Sequence, residues 1–153
     1  MFIAADARSV PAAAAWLGAL GAVPFLACAG AILFGPAEIA GTASDVVTAY
    51  GAIILSFLGG IQWGFATRNA PVANESVALP RRLLMSVLPS LIAWAALLVP
   101  RETGLLVLAG AFLLVFVSDI RAARMNAAPG WYPSLRMPLT FLVVASILAA
   151  SLG

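Results

Sequence analysis

Apolar residues occupy this chain in long runs, separated by short clusters of proline, glycine and charge. A helix needs about 20 residues to cross the roughly 30 Å hydrocarbon core of a bilayer. The runs predict five such helices, at about residues 11–34, 46–67, 83–99, 103–124 and 138–152. Pro24 falls near the middle of the first, where a kink is expected because proline lacks an N–H and crowds the preceding turn. Gly18 and Gly21 give that helix a close-contact surface. Residues 35–45 carry the Gly, Pro and small polar residues of a turn, with Ser44 or Asp45 placed to cap the second helix. Residues 68–82, with Pro71 and Pro80, read as a loop. Pro100-Arg101-Glu102 reads as a tight turn that makes the third and fourth helices an antiparallel hairpin. The fourth is expected to continue through Asp119 into the interface. A loop at 126–136 then precedes the fifth, for which Pro138 suits a helix start.

Composition places these helices in lipid. Of 153 residues, 63% are hydrophobic and 9% charged, with a mean hydropathy of +1.08. A soluble domain has about 45–50% apolar and 25% charged residues. The expectation is an all-α membrane protein, a bundle of five transmembrane helices forming a single membrane domain over residues 1–153. The first apolar run is longer than the h-region of a secretory signal and is expected to stay as a helix.

The absences narrow the chemistry. There is no histidine, and all eight basic residues are arginine. That removes the usual ligands of haem iron and zinc, the Schiff-base amine, and the general base of most serine hydrolases. Six scattered acids make a poor metal site, so no metal and no other cofactor is expected. Cys28, the single cysteine, reads as a small buried hydrophobe. With no basic soluble module, nucleic acid is not an expected partner.

Arginine placement gives an orientation. With five crossings, seven of the eight arginines fall on one side and Arg101 alone on the other. Positive residues stay inside, which puts the N-terminus inside and the C-terminus outside. Trp16, Trp63, Trp131 and Tyr132 then fall near the inner interface, and Tyr50 and Trp94 toward the outer one.

Within the second helix, Ala52, Ser56, Gly60 and Gly64 repeat every four residues and form one stripe. Small residues at this spacing let another backbone approach, so the stripe is expected to pack helices, within the monomer first and in a dimer or larger complex second. Gln62 lies about 200° around the helix from Gly60. It shares a face with Leu55, Leu58 and Gly59, where a carbonyl or a ligand would meet its amide.

Asp119 follows sixteen mainly apolar residues, and an intramembrane carboxylate needs a partner. Arg121 and Arg124 sit at i+2 and i+5, outside the facing i+3 and i+4 positions, so the partner must come from another element. Arg136 is the expected one. Gln62, Asp119 and Arg136 are therefore the candidate ligand-binding residues, with a structural ion pair as the plainer reading. Arg81, Arg82, Arg121 and Arg124 form an inner rim expected to meet anionic lipid headgroups.

Tyr50-Gly51-Ala52, Ser56-Phe57-Leu58-Gly59-Gly60, Trp63-Gly64, Trp131-Tyr132-Pro133, Leu135-Arg136 and Leu139-Thr140 together resemble the transmembrane-protein-69-like family, a domain of unknown function. The resemblance spans nearly the whole chain and is most specific between Ser56 and Gly64. It implies a small multi-pass protein of bacterial inner membranes, with relatives in mitochondria, and supplies no catalytic residues. The leading expectation is a non-catalytic accessory or assembly subunit of a larger membrane complex, whose partners are the bilayer, anionic lipids, and other subunits or a second copy. The alternative is a protein that binds or transports a lipid, quinone or small amphiphile.

Overall fold

A computed structural model describes residues 9–68 and 78–152. The described residues form five α-helices: α1 Ala12–Phe34, α2 Ala37–Arg68, α3 Ala78–Ala96, α4 Arg101–Arg124 and α5 Tyr132–Leu152. Four of them, α1, α2, α4 and α5, are long and apolar enough to cross a bilayer. Each helix packs on its sequence neighbours, and α1 closes the ring against α5. Helix α2 touches all four others, which makes it the axis of the bundle.

One apolar stripe per helix makes the core. On α4 it is Leu105, Leu108, Phe112 and Val115, all buried at helical spacing. Phe25 of α1 is fully enclosed, its ring 5.1 Å from that of Tyr50 and 6.2 Å from that of Phe112. The Tyr50 hydroxyl donates to the Gly21 carbonyl at 3.0 Å, so one aromatic residue both packs and ties α2 to α1. Cys28 is buried in the same cluster, in keeping with its role as a small hydrophobe. The outward faces are just as apolar, with Trp16, Leu20, Phe57 and Leu114 exposed. Such a surface belongs in hydrocarbon, where exposed apolar area carries no penalty.

Several boundaries differ from the sequence expectation. Helix α2 begins at Ala37, so only Gly35 and Pro36 break the chain after α1. Its small polar residues are absorbed by the helix itself: Thr42 donates to the Glu38 carbonyl, Ser44 to Ala40 and Thr48 to Ser44. Ser44 and Asp45 therefore cap nothing, although Asp45 pairs with Arg101 of α4 at 3.3 Å on the exposed end. Arg81 and Arg82 stand inside α3, and Arg101 and Glu102 open α4, leaving residues 97–100 as the turn. The expected loop at 68–82 is otherwise outside the described residues from 69 to 77. Pro138 does not start α5, which begins six residues earlier at Tyr132. Pro138 lies inside the helix, past the first-turn N–H groups that have no partner, so it forgoes the bond to the Ser134 carbonyl instead of starting the helix.

The small-residue stripe also turns out differently. Ala52 is buried and Ser56 half-buried, the latter's hydroxyl returning to the Ala52 carbonyl, but Gly60 and Gly64 are exposed with open space where a Cβ would stand. Close approach occurs one residue over. A Cβ on Gly59 would lie 2.6 Å from the Ser86 carbonyl oxygen and 3.4 Å from Pro89, so α3 crosses α2 against bare backbone. Gly104 plays the same part between α4 and the Ala96 carbonyl. Internal packing thus follows the face of Gly51, Leu55, Leu58 and Gly59, which is the face that carries Gln62.

Candidate functional site

The three residues singled out as ligand candidates come from three helices and meet. Asp119 of α4 is 1% exposed and Arg136 of α5 is 7% exposed. The Arg136 Nε donates to Asp119 Oδ2 at 3.0 Å, and Gln62 Nε2 of α2 donates to Oδ1 at 3.3 Å. The helical stripes dictate this meeting. Asp119 continues the buried row of α4 one turn beyond Val115, and Gln62 continues that of α2 beyond Leu58. Arg136 lies one turn into α5 rather than in a loop, so the ion pair joins two helices. The expected pairing is present.

Among the described residues each carboxylate oxygen has one side-chain donor, and the pair is neutral as a whole. An unpaired charge at this depth would cost several kcal/mol, so the three groups make up one electrostatic unit. It sits about 7 Å along the axis from Arg124, near the arginine-rich end of α4.

Tyr132 and Thr140 complete a polar row that the sequence reading missed. They stand four residues either side of Arg136 on the buried stripe of α5, at 6% and 0% exposure. The Tyr132 hydroxyl, Arg136 Nη2 and Thr140 Oγ1 are buried with no hydrogen-bond partner among the described residues. Tyr132 was expected in the interfacial aromatic belt. Its ring instead packs edge-on to Phe65 of α2 at 5.3 Å, which draws it inward. The spacing of i, i+4 and i+8 in polar residues was the available signal.

Two cavities flank this unit. The larger, about 510 Å³, lies between the arginine-rich ends of α2, α3 and α4. Gln62, Ser118, Arg81, Arg82 and Arg121 supply its polar lining, and Phe65, Met85 and Met125 its apolar lining. Arg124 is exposed nearby but does not line it. The second, about 320 Å³, opens between α1, α2 and α5 and is walled by apolar groups apart from Tyr132 and Arg136. Gln62 thus faces one cavity and Arg136 the other, with Asp119 enclosed between them. Among the described residues, no three His, Cys, Asp or Glu side chains gather as a metal-binding group.

These features define a helical membrane protein built around a buried ion pair. The chain belongs to the family described as Protein of unknown function (DUF3429), which matches residues 10–152. It is 33% identical over 151 residues to Transmembrane protein 69 of Xenopus tropicalis, covering 94% of this chain and 55% of that protein. It is 30% identical over 98 residues to Transmembrane protein 69 of Mus musculus, covering 64% of this chain and 39% of that one. The chain therefore spans about half the length of the first relative and less of the second. These matches bear out the resemblance seen in the sequence. No solved structure matches the chain.

Proposed function

We propose that this chain is a non-catalytic membrane protein that binds an anionic amphiphile, headgroup first, in the cavity between α2, α3 and α4. The observation that carries this reading is the convergence of Arg81, Arg82 and Arg121 on one 510 Å³ space that Phe65, Met85 and Met125 make apolar. Guanidinium groups bind phosphate oxygens in a bidentate fork, and the methionine side chains suit the irregular path of an acyl chain. Gln62 adds a neutral amide, and the Asp119–Arg136 pair holds that amide in place.

The experiment is lipid analysis of the protein purified in mild detergent. Wild type is expected to retain anionic phospholipids several-fold above their share of the membrane. The Arg81→Gln/Arg82→Gln/Arg121→Gln variant is expected to lose that enrichment while remaining folded. Retained lipids in bulk proportion, or enrichment indifferent to the three substitutions, would refute the reading.

The proposal includes five crossings in the inner membrane of a bacterium, with the N-terminus inside and the C-terminus outside. Its support is the arginine distribution, since Arg101 alone would then face outward. A C-terminal alkaline phosphatase fusion is expected to be active and a C-terminal fluorescent protein fusion dark. The opposite pair of results means four crossings, or the inverted orientation.

A second reading, the accessory subunit of a larger membrane complex, rests on a separate observation. Gly60 and Gly64 present open backbone on the outward face of α2, beside exposed Phe57 and Trp63. A transmembrane helix of another subunit would fit against such a surface. The same gentle preparation distinguishes it: a species larger than the protein with its lipids, broken up by Gly60→Leu, favours the subunit role.

A further inference from the structure

The cavity between α2, α3 and α4 offers more than cations. Gln62 donates through Nε2 to Asp119 Oδ1 at 3.3 Å. An ionised carboxylate only accepts, so this contact fixes which way the amide stands and leaves the carbonyl oxygen Oε1 as the end turned from Asp119. Among the described residues neither Gln62 Oε1 nor the hydroxyl of Ser118, the neighbour of Asp119 on α4, has a hydrogen-bond partner. Both residues are half-buried, yet among the described residues the side-chain atoms that are at once enclosed and unpartnered belong to Tyr132, Arg136 and Thr140. Gln62 Oε1 and Ser118 Oγ therefore reach accessible space. The cavity that both residues line is the one of about 510 Å³ that Arg81, Arg82 and Arg121 also line.

These two oxygens restrict the headgroup. Guanidinium groups have donors and no acceptor, whereas Gln62 Oε1 accepts only and a serine hydroxyl does either. A phosphate satisfies the arginines and brings no donor to Oε1. The group that does so is an O–H or N–H carried beyond the phosphate. Charge decides between them. An ammonium would enter a space lined by three arginines and, among the described residues, by no acid, and like charges repel there. A hydroxyl donates to Oε1, exchanges a hydrogen bond with Ser118, and adds no charge.

We infer that the cavity selects a phosphodiester whose headgroup carries a free hydroxyl, a phosphoglycerol, with Gln62 Oε1 and Ser118 Oγ as the residues that read the hydroxyl and the arginines as those that hold the phosphate. The inference rests on the anionic reading of the same cavity and goes further, because the arginines alone would take any anionic lipid. The hydroxyl belongs to the terminal glycerol of phosphatidylglycerol or to the bridging glycerol of cardiolipin, and the test separates these sources.

The test is native mass spectrometry of the purified full chain in mild detergent, titrated with dioleoyl phosphatidylglycerol, phosphatidylethanol, phosphatidylethanolamine, phosphatidylcholine and cardiolipin. Phosphatidylethanol is a phosphodiester of the same charge as phosphatidylglycerol and has no headgroup hydroxyl. Phosphatidylglycerol is expected to bind about three- to tenfold more tightly than phosphatidylethanol, the worth of one or two neutral hydrogen bonds. Both are expected to exceed phosphatidylethanolamine and phosphatidylcholine, and the tighter binder of phosphatidylglycerol and cardiolipin identifies the source. Gln62→Met keeps the length of the side chain without its amide and is expected to bring phosphatidylglycerol and phosphatidylethanol to within about twofold of one another. Ser118→Ala is expected to narrow their ratio about two- to threefold. A merely structural role for either residue would lower both affinities and leave the ratio alone. If Gln62→Met fails to fold, the wild-type ratio and Ser118→Ala decide. Phosphatidylethanol binding as tightly as phosphatidylglycerol, with both above phosphatidylcholine, would overturn the inference and leave the anionic reading standing, as would a ratio unmoved by the substitutions. Neither lipid exceeding phosphatidylcholine would overturn both.

Discussion

Asp119→Asn is expected to lower the stability of the bundle by about 3–5 kcal/mol. The asparagine can still accept a hydrogen bond from Arg136 Nε, so the loss does not come from a missing contact. It comes from a guanidinium, 7% exposed, left without its counter-charge. Arg136→Gln is expected to cost a similar amount for the mirror reason. Combining the two removes both charges and leaves two amides able to bond one another, so the double variant is expected to be more stable than either single one. Equilibrium unfolding in mixed detergent micelles gives the three values and their coupling. Strict additivity would mean that the two side chains do not act as a unit, and would remove the frame on which both cavities rest.

The second large effect concerns backbone contact. Gly59→Ala is expected to destabilise the protein by about 1–3 kcal/mol, because its Cβ would stand 2.6 Å from the Ser86 carbonyl oxygen and a whole helix must shift to admit it. Gly60→Ala, one residue away, meets nothing within 4 Å. It is expected to leave stability unchanged or raise it by up to about 1 kcal/mol, since alanine has the better helix propensity. The same micelle titration measures both. Equal effects at the two positions would place α3 on the wrong face of α2.

That contrast marks where the sequence was legible and where it was not. Hydropathy located the helices because apolar length is a one-dimensional property, and the partner of Asp119 was legible because helical spacing excluded Arg121 and Arg124. The stripe of Ala52, Ser56, Gly60 and Gly64 was as regular as any pattern in the chain, yet only its first half, Ala52 and Ser56, turns inward. Small residues allow close approach without requiring it, and only the position of α3 decides between Gly59 and Gly60. The start of α2 was obscured for a related reason: Thr42, Ser44 and Thr48 resemble turn residues, but inside a helix their hydroxyls return to its own carbonyls. Tyr132 looked interfacial by residue type and is buried by register, four residues before Arg136. The cavities, formed from three helices each, have no signature in any one segment.

The central claim is that an anionic amphiphile occupies the space between α2, α3 and α4. A photoreactive anionic phospholipid, reconstituted with the protein and mapped by peptide mass spectrometry, addresses it most directly. The account predicts labelling concentrated at Phe65 and Ala66, at Met85, and at Ser118, Arg121, Ala122 and Met125, residues that line that cavity. The label should be displaced by phosphatidylglycerol but not by phosphatidylcholine, and absent when Arg81, Arg82 and Arg121 are replaced by glutamine. Labelling spread over the outward faces of the bundle, around Trp16, Leu20 and Leu114, and indifferent to headgroup charge would contradict it.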